Sequence, residues 1–224
     1  MSADPAPAPG WRELRFLQLL FFIVVGLILL PVLARYRIVL LVIQVLLLNG
    51  ILVAVSASRR GSVSRRILLG AWLGNVLLQA VALRLSPTSP LHVVADAWGA
   101  VMLALCVGFI LYYVFRRPEI TADTIFAAIV AYFFLALAFS RAFAIMESVV
   151  PQSFALREGV NVDLELLYFS LVTIATLGYG DVVPRMPAAQ MLSVLEAVIG
   201  QFFVAVLIAW LVSVHAGRRQ GRAA

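Results

Sequence analysis

The fold class this sequence predicts is an all-α membrane protein, six transmembrane helices with one short helix folded back between the last two. Three observations predict it. Of the 224 residues, 63% are hydrophobic and 12% charged, against roughly 45–50% and about 25% in a soluble globular domain. Six apolar stretches run close to the ~20 residues that a helix needs to cross a hydrocarbon core of about 30 Å. A further apolar segment, residues 164–175, is too short to span as a helix and is left over as a re-entrant or core element.

In chain order, residues 1–10 (MSADPAPAPG) are Pro/Ala-rich without periodic apolar positions and read as a disordered tail. The spans are expected at 14–33, 38–56, 67–84, 91–115, 123–146 and 187–215, bounded by Arg clusters, Pro and polar loops. Arg12 and Arg15 before an apolar run ending Val32-Leu33-Ala34 raise a signal-peptide reading. That run exceeds the usual apolar core of about 7–15 residues in such peptides, so it is read as a retained span.

Every basic side chain is Arg, and most sit in short clusters beside apolar runs. If the N-terminus is inside, eleven fall on the cytoplasmic side (Arg12, Arg15, Arg59, Arg60, Arg65, Arg66, Arg116, Arg117, Arg218, Arg219, Arg222). Five fall outside (Arg35, Arg37, Arg84, Arg157, Arg185), with Arg141 inside the fifth span. Short translocated loops are depleted in Lys and Arg, so both termini are expected in the cytoplasm and the protein in the plasma membrane. The net charge of +6 is accounted for by these anchors, and no nucleic-acid partner is expected. Cys106 is the single cysteine and cannot form an intrachain disulfide. No span carries a Ser/His, His/Glu or paired-Asp arrangement suited to catalysis, so neither an enzyme nor a cofactor is expected.

The most specific stretch is residues 164–187, LELLYFSLVTIATLGYGDVVPRMP. A half-span helix is followed by Thr176-Leu177-Gly178-Tyr179-Gly180-Asp181 and a loop back out. Irregular backbone at membrane depth is tolerated only where protein buries it or where it lines a water-filled path. Dehydrating a monovalent cation takes a dense set of oxygens, and successive carbonyls of an ordinary strand alternate sides. Glycine reaches positive φ at little steric cost, so Gly178 and Gly180 permit a left-handed value at every second residue and carbonyls facing one axis. Thr176 can add a hydroxyl, and Tyr179 a rigid aromatic brace.

This segment resembles the pore loop and selectivity filter of potassium channels, whose usual pattern is T-V-G-Y-G-D, with Leu177 in place of the commoner Val. The resemblance covers residues 123–215 and implies K+ coordination by the carbonyls of Thr176, Leu177, Gly178 and Tyr179, by the filter as far as Gly180, with the Thr176 hydroxyl at the inner end. It implies Asp181 at the outer mouth and Tyr168, Phe169 and Val172 as filter support, with Ser170 a small residue of the pore helix. Ala175 stands where many members have a second Thr, and Val172 where some prokaryotic members have Glu. Gly200 matches a gate hinge of the inner helix, or serves close packing. Glu196 resembles an acid behind the filter and is read as a brace.

One strand offers ligands on one side only, so four copies must enclose the ion, and the single repeat implies a homotetramer. The domains expected are a tail at 1–10, a four-helix peripheral module at 11–117, a pore module at 118–217 and a short basic tail at 218–224. The peripheral module is voltage-sensor-like in layout. However, residues 91–115 contain no Arg or Lys, and only a short Pro118-containing link precedes the fifth span, so weak voltage dependence is expected.

Asp96 and His92 are expected as an interfacial charge pair near Arg84, and Arg141 is expected to snorkel or to pair with an acid such as Glu147. Asp163 and Glu165 are expected to join Asp181 in concentrating cations. Gln44, Asn75 and Gln79 are expected to hydrogen-bond between helices, and His215 to be interfacial. With few residues after 215, no regulatory domain is expected. Opening would then be set by lipid, tension, pH or a separate regulatory subunit. The reading is a bacterial-type potassium channel subunit whose partners are K+, membrane lipids and copies of itself. The alternatives are a potassium transporter subunit and a non-conducting accessory membrane protein.

Overall fold

The computed structural model describes residues 15–33, 62–82, 89–116, 120–157 and 159–220. The expected tail at 1–10, the expected span at 38–56 and Arg84 lie outside the described residues, as does the His215 side chain. The helices are α1 (Arg15–Leu33), α2 (Ser62–Ala82), α3 (Pro90–Arg116), α4 (Ala122–Val149), α5 (Val162–Ile174) and α6 (Pro187–Gln220). Two-residue strands β1 (Phe154–Ala155) and β2 (Val183–Pro184) flank α5.

Three of these helices, Pro90–Arg116, Ala122–Val149 and the Pro187–Val214 stretch of α6, are long and apolar enough to cross a membrane. They coincide with the expected fourth, fifth and sixth spans. The expected first and third spans are helical too, with shorter apolar portions at Phe16–Leu30 and Leu73–Ala82.

Small and bulky side chains alternate at the helix contacts. Ala127, Ala128 and Ala131 of α4 are fully buried and admit Ile110 and Val114 of α3 and Phe16 and Ile23 of α1. Small residues at such contacts let backbones approach closely, which is what drives helix association in lipid. At one end of this packing Asp123, in the first turn of α4, accepts from the Phe16 backbone N–H at 3.1 Å and from the Tyr113 hydroxyl at 3.1 Å. One carboxylate thereby supplies an acceptor to the free N-terminal turn of α1 and joins three helices. Thr121 caps α4 itself in a reciprocal box with Thr124.

Asn75 and Gln79 are buried between α2 and α3, and Gln79 Nε2 donates to the Ala95 carbonyl at 2.9 Å. Gly99 leaves the room for it, since a Cβ there would stand 3.1 Å from Gln79 Nε2.

The charged residues depart from expectation. Arg141 Nη1 lies 2.8 Å from Asp96 Oδ1, linking α4 to α3, and Asp96 is 1% exposed. Its expected partner Glu147 instead accepts from the backbone N–H groups of Gln152 at 2.8 Å and Phe154 at 3.0 Å. Those two donors belong to the turn after α4, where Gln152 has a positive φ of 67°, and to the start of β1. They cannot find partners inside a helix, so the nearby carboxylate is used as a cap. His92 Nδ1 is 3.1 Å from Asp96 Oδ2, as the expected pairing requires.

Candidate functional site

Helix α5 is positioned at both ends by local chemistry. Asn161 caps its start, its side chain accepting from Leu164 N–H at 3.2 Å, with Asp163 and Glu165 in the positive first turn. Glu165 is 1% exposed and is held by Arg157, through the backbone N–H at 2.8 Å and the guanidinium Nε at 2.5 Å. Glu165 is therefore a neutralised structural anion within the chain, and the expectation that it adds free negative charge is corrected. Three aromatics brace the far side: Phe169 lies 5.1 Å from Phe143 and 5.4 Å from Phe154, all edge-to-face.

The end of α5 turns directly into the Thr176–Asp181 segment. Ala175 is the C-cap in the right-handed region, Thr176 follows with φ 57°, and two backbone bonds close the turn. Leu177 N–H donates to the Val172 carbonyl at 2.9 Å, and Thr176 N–H to the Thr173 carbonyl at 3.0 Å. This is a Schellman-type helix stop, in which a left-handed residue satisfies carbonyls that the helix leaves open. Glycine is the usual occupant. A β-branched threonine in that region is an outlier that the surrounding structure must hold, at a cost of about 1–3 kcal/mol.

Gly178 and Gly180 follow with φ 60° and 78°, so left-handed values occur at 176, 178 and 180, every second residue. The sequence foresaw the two glycines in this role and missed Thr176, because a helix stop made by Thr has no glycine to announce it. Residues 175–181 are all exposed in the single chain. Tyr168, on α5, lies near Asp181, and the neighbouring carboxylate holds its phenol above its ordinary pKa. The segment then returns through β2, which pairs antiparallel with β1, Phe154 opposite Pro184 and Ala155 opposite Val183.

Behind the turn, α4 and α6 grip α5. Tyr132 of α4 donates its hydroxyl to the Ile174 carbonyl at 2.8 Å. Ser170 donates to the Ala136 carbonyl at 2.7 Å and contacts Glu196 Oε1. Gly200 is buried against Ile174: a Cβ there would lie 2.6 Å from Ile174 Cγ1 and 3.0 Å from its carbonyl oxygen. Helix α6 runs through Gly200 unbroken, so in this conformation the glycine serves close packing. Val172 is buried, and its carbonyl anchors the turn. Tyr132 was not foreseen; the signal available was a phenol inside an otherwise apolar span, where its hydroxyl must find a partner. Among the described residues no cluster of His, Cys, Asp or Glu could hold a metal ion.

A cap, an alternating backbone and two gripping helices thus set a short helix and its turn between two long apolar helices. Residues 120–215 match a protein-family model described as "Ion channel". That stretch runs from the residue before the Thr121 N-cap of α4 through most of α6. A rice protein (Oryza sativa subsp. japonica), "Two pore potassium channel c", is 45% identical over 49 residues, 22% of this chain. The match spans 11% of that relative's length.

Proposed function

We propose that this chain is a potassium-selective channel subunit, four copies of which surround one pore. The carrying observation is the left-handed backbone at Thr176, Gly178 and Gly180. With every second residue in that region, the carbonyls of Thr176, Leu177, Gly178 and Tyr179 can be turned to one side and replace the water of a K+ ion. The Thr176 hydroxyl adds the innermost ligand, and Asp181 raises the cation concentration at the outer mouth. The exposure of residues 175–181 in one chain supports a site completed by symmetry copies. The potassium channel relative supports K+ as the permeant ion.

In this reading the other segments make a six-span protein of the plasma membrane with both termini cytoplasmic. Residues 11–117 form a peripheral module, residues 118–217 the pore module and 218–224 a basic tail. Gly200 is the point at which the inner helix bends when the gate opens. Residues 91–115 carry no Arg or Lys, so moving them through the field does little work and voltage dependence is weak.

Potassium flux from liposomes containing only the purified chain separates the readings. Passive, saturation-free efflux down a K+ gradient, unaffected by an inert analogue of ATP, is the result expected. Flux that appears only with a second protein would favour a transporter subunit, and no flux under any gradient an accessory protein.

A further inference from the structure

We propose that Glu196 is held as the neutral carboxylic acid and donates its proton to Ser170, making it a positioning residue that locks the inner helix to the pore helix. Ser170 Oγ has one hydrogen and two oxygen partners, the Ala136 carbonyl and Glu196 Oε1. A carbonyl can only accept, and an ionised carboxylate can only accept. If both contacts are hydrogen bonds, Ser170 gives its hydrogen to Ala136, and the bond to Glu196 needs a proton on the acid.

The surroundings agree. Glu196 is 0% exposed, and its second oxygen, Oε2, is buried with no hydrogen-bond partner among the described residues. An ionised carboxylate there would leave a full charge uncompensated, whereas the neutral acid leaves one carbonyl-type acceptor unused, a far smaller penalty. The ion pairs among the described residues, His92–Asp96, Arg141–Asp96 and Arg157–Glu165, do not include Glu196. The titratable group that faces it from α4, Tyr132, has committed its hydroxyl to the Ile174 carbonyl. Among the described residues, the donor left to make the Ser170 contact attractive is the acid itself.

The result is a directional chain: α6 donates to α5 through Glu196 and Ser170, and α5 donates to α4 through Ser170 and Ala136. It lies one turn of α6 before Gly200, which packs on Ile174 at the end of α5. The acid thus helps fix where the 176–181 turn begins relative to the inner helix. That functional consequence rests on the channel reading; the protonation does not.

Infrared spectroscopy of the full chain in lipid, with glutamate carrying carbon-13 at the side-chain carboxyl, tests the protonation at neutral pH, where ordinary glutamates are ionised. The expected spectrum contains one isotope-shifted carboxylic-acid band. It moves to higher frequency in Ser170→Ala, where the proton loses its acceptor, and is lost in Glu196→Gln. A neutral-pH spectrum with no glutamic-acid band overturns the proposal, as does a band that Ser170→Ala leaves unmoved. If Glu196→Gln does not fold, the presence of the band and its response to Ser170→Ala decide alone. For the positioning role, Glu196→Gln keeps a donor and is expected to retain K+ flux within about twofold, while Glu196→Leu loses most of it. Equal flux from the Gln and Leu variants would overturn that role without touching the spectrum.

Discussion

Arg141 and Asp96 stand 45 positions apart in the chain and 2.8 Å apart in the fold, a guanidinium on α4 against a carboxylate on α3 that is 1% exposed. This pair ties α3 to α4. Removing one partner of a buried pair leaves the other charge stranded, at a cost of about 3–5 kcal/mol, whereas replacing both with apolar residues is close to neutral. Arg141→Met is therefore expected to lower the melting temperature of the purified protein sharply. Arg141→Met with Asp96→Leu is expected to recover most of the loss. A double variant no more stable than Arg141→Met would contradict this expectation.

Gly200 makes a different kind of contact, and its substitution tests the grip on α5. A methyl group at this position must displace Ile174 Cγ1 and the Ile174 carbonyl. Overpacking of this sort costs about 1–3 kcal/mol. Gly200→Ala is expected to reduce thermal stability by that order, while Gly108→Ala, where a Cβ meets nothing within 4 Å, changes it little. Thermal unfolding of both variants in the same detergent is the check.

The Tyr168 hydroxyl sits beside Asp181. The neighbouring carboxylate raises its pKa, so the protonated phenol is the form the folded protein stabilises. A raised pKa contributes stability at all pH values below the ordinary tyrosine range, near 10, and loses it as pH rises through the shifted value. The mouth is expected to be indifferent to pH between neutrality and about 9, and to loosen above about 10. Tyr168→Phe is expected to abolish that alkaline transition. Proteolytic nicking of the 176–186 loop as a function of pH, in both proteins, reads it out.

Much of this arrangement was legible in the sequence because it rests on local signals. The lengths of α3, α4 and α6 follow from uninterrupted apolar runs, and α5 begins at Val162 and ends at Ile174, close to the expected 164–175. Two glycines spaced by one residue announced the left-handed positions 178 and 180. What was not legible depends on distant neighbours. The partner of Arg141 was sought near it in sequence, but Glu147 was already taken by backbone donors of the following turn, and Asp96 came from another helix. Glu165 read as a surface charge because nothing in a linear sequence says that Arg157 folds over it. The Tyr132 and Ser170 hydrogen bonds, like the β1–β2 pairing, arise only when α4, α5 and the returning strand are brought together.

In the proposed function, the Thr176–Asp181 backbone strips water from potassium in preference to sodium. The most direct test is the reversal potential of single channels of the purified protein in a planar bilayer, potassium on one side and sodium on the other. A large displacement toward the potassium equilibrium potential is expected, abolished by Gly178→Ala, whose side chain is strained at φ 60°. A reversal potential near zero in the unaltered protein, with current flowing equally in both ions, would contradict it.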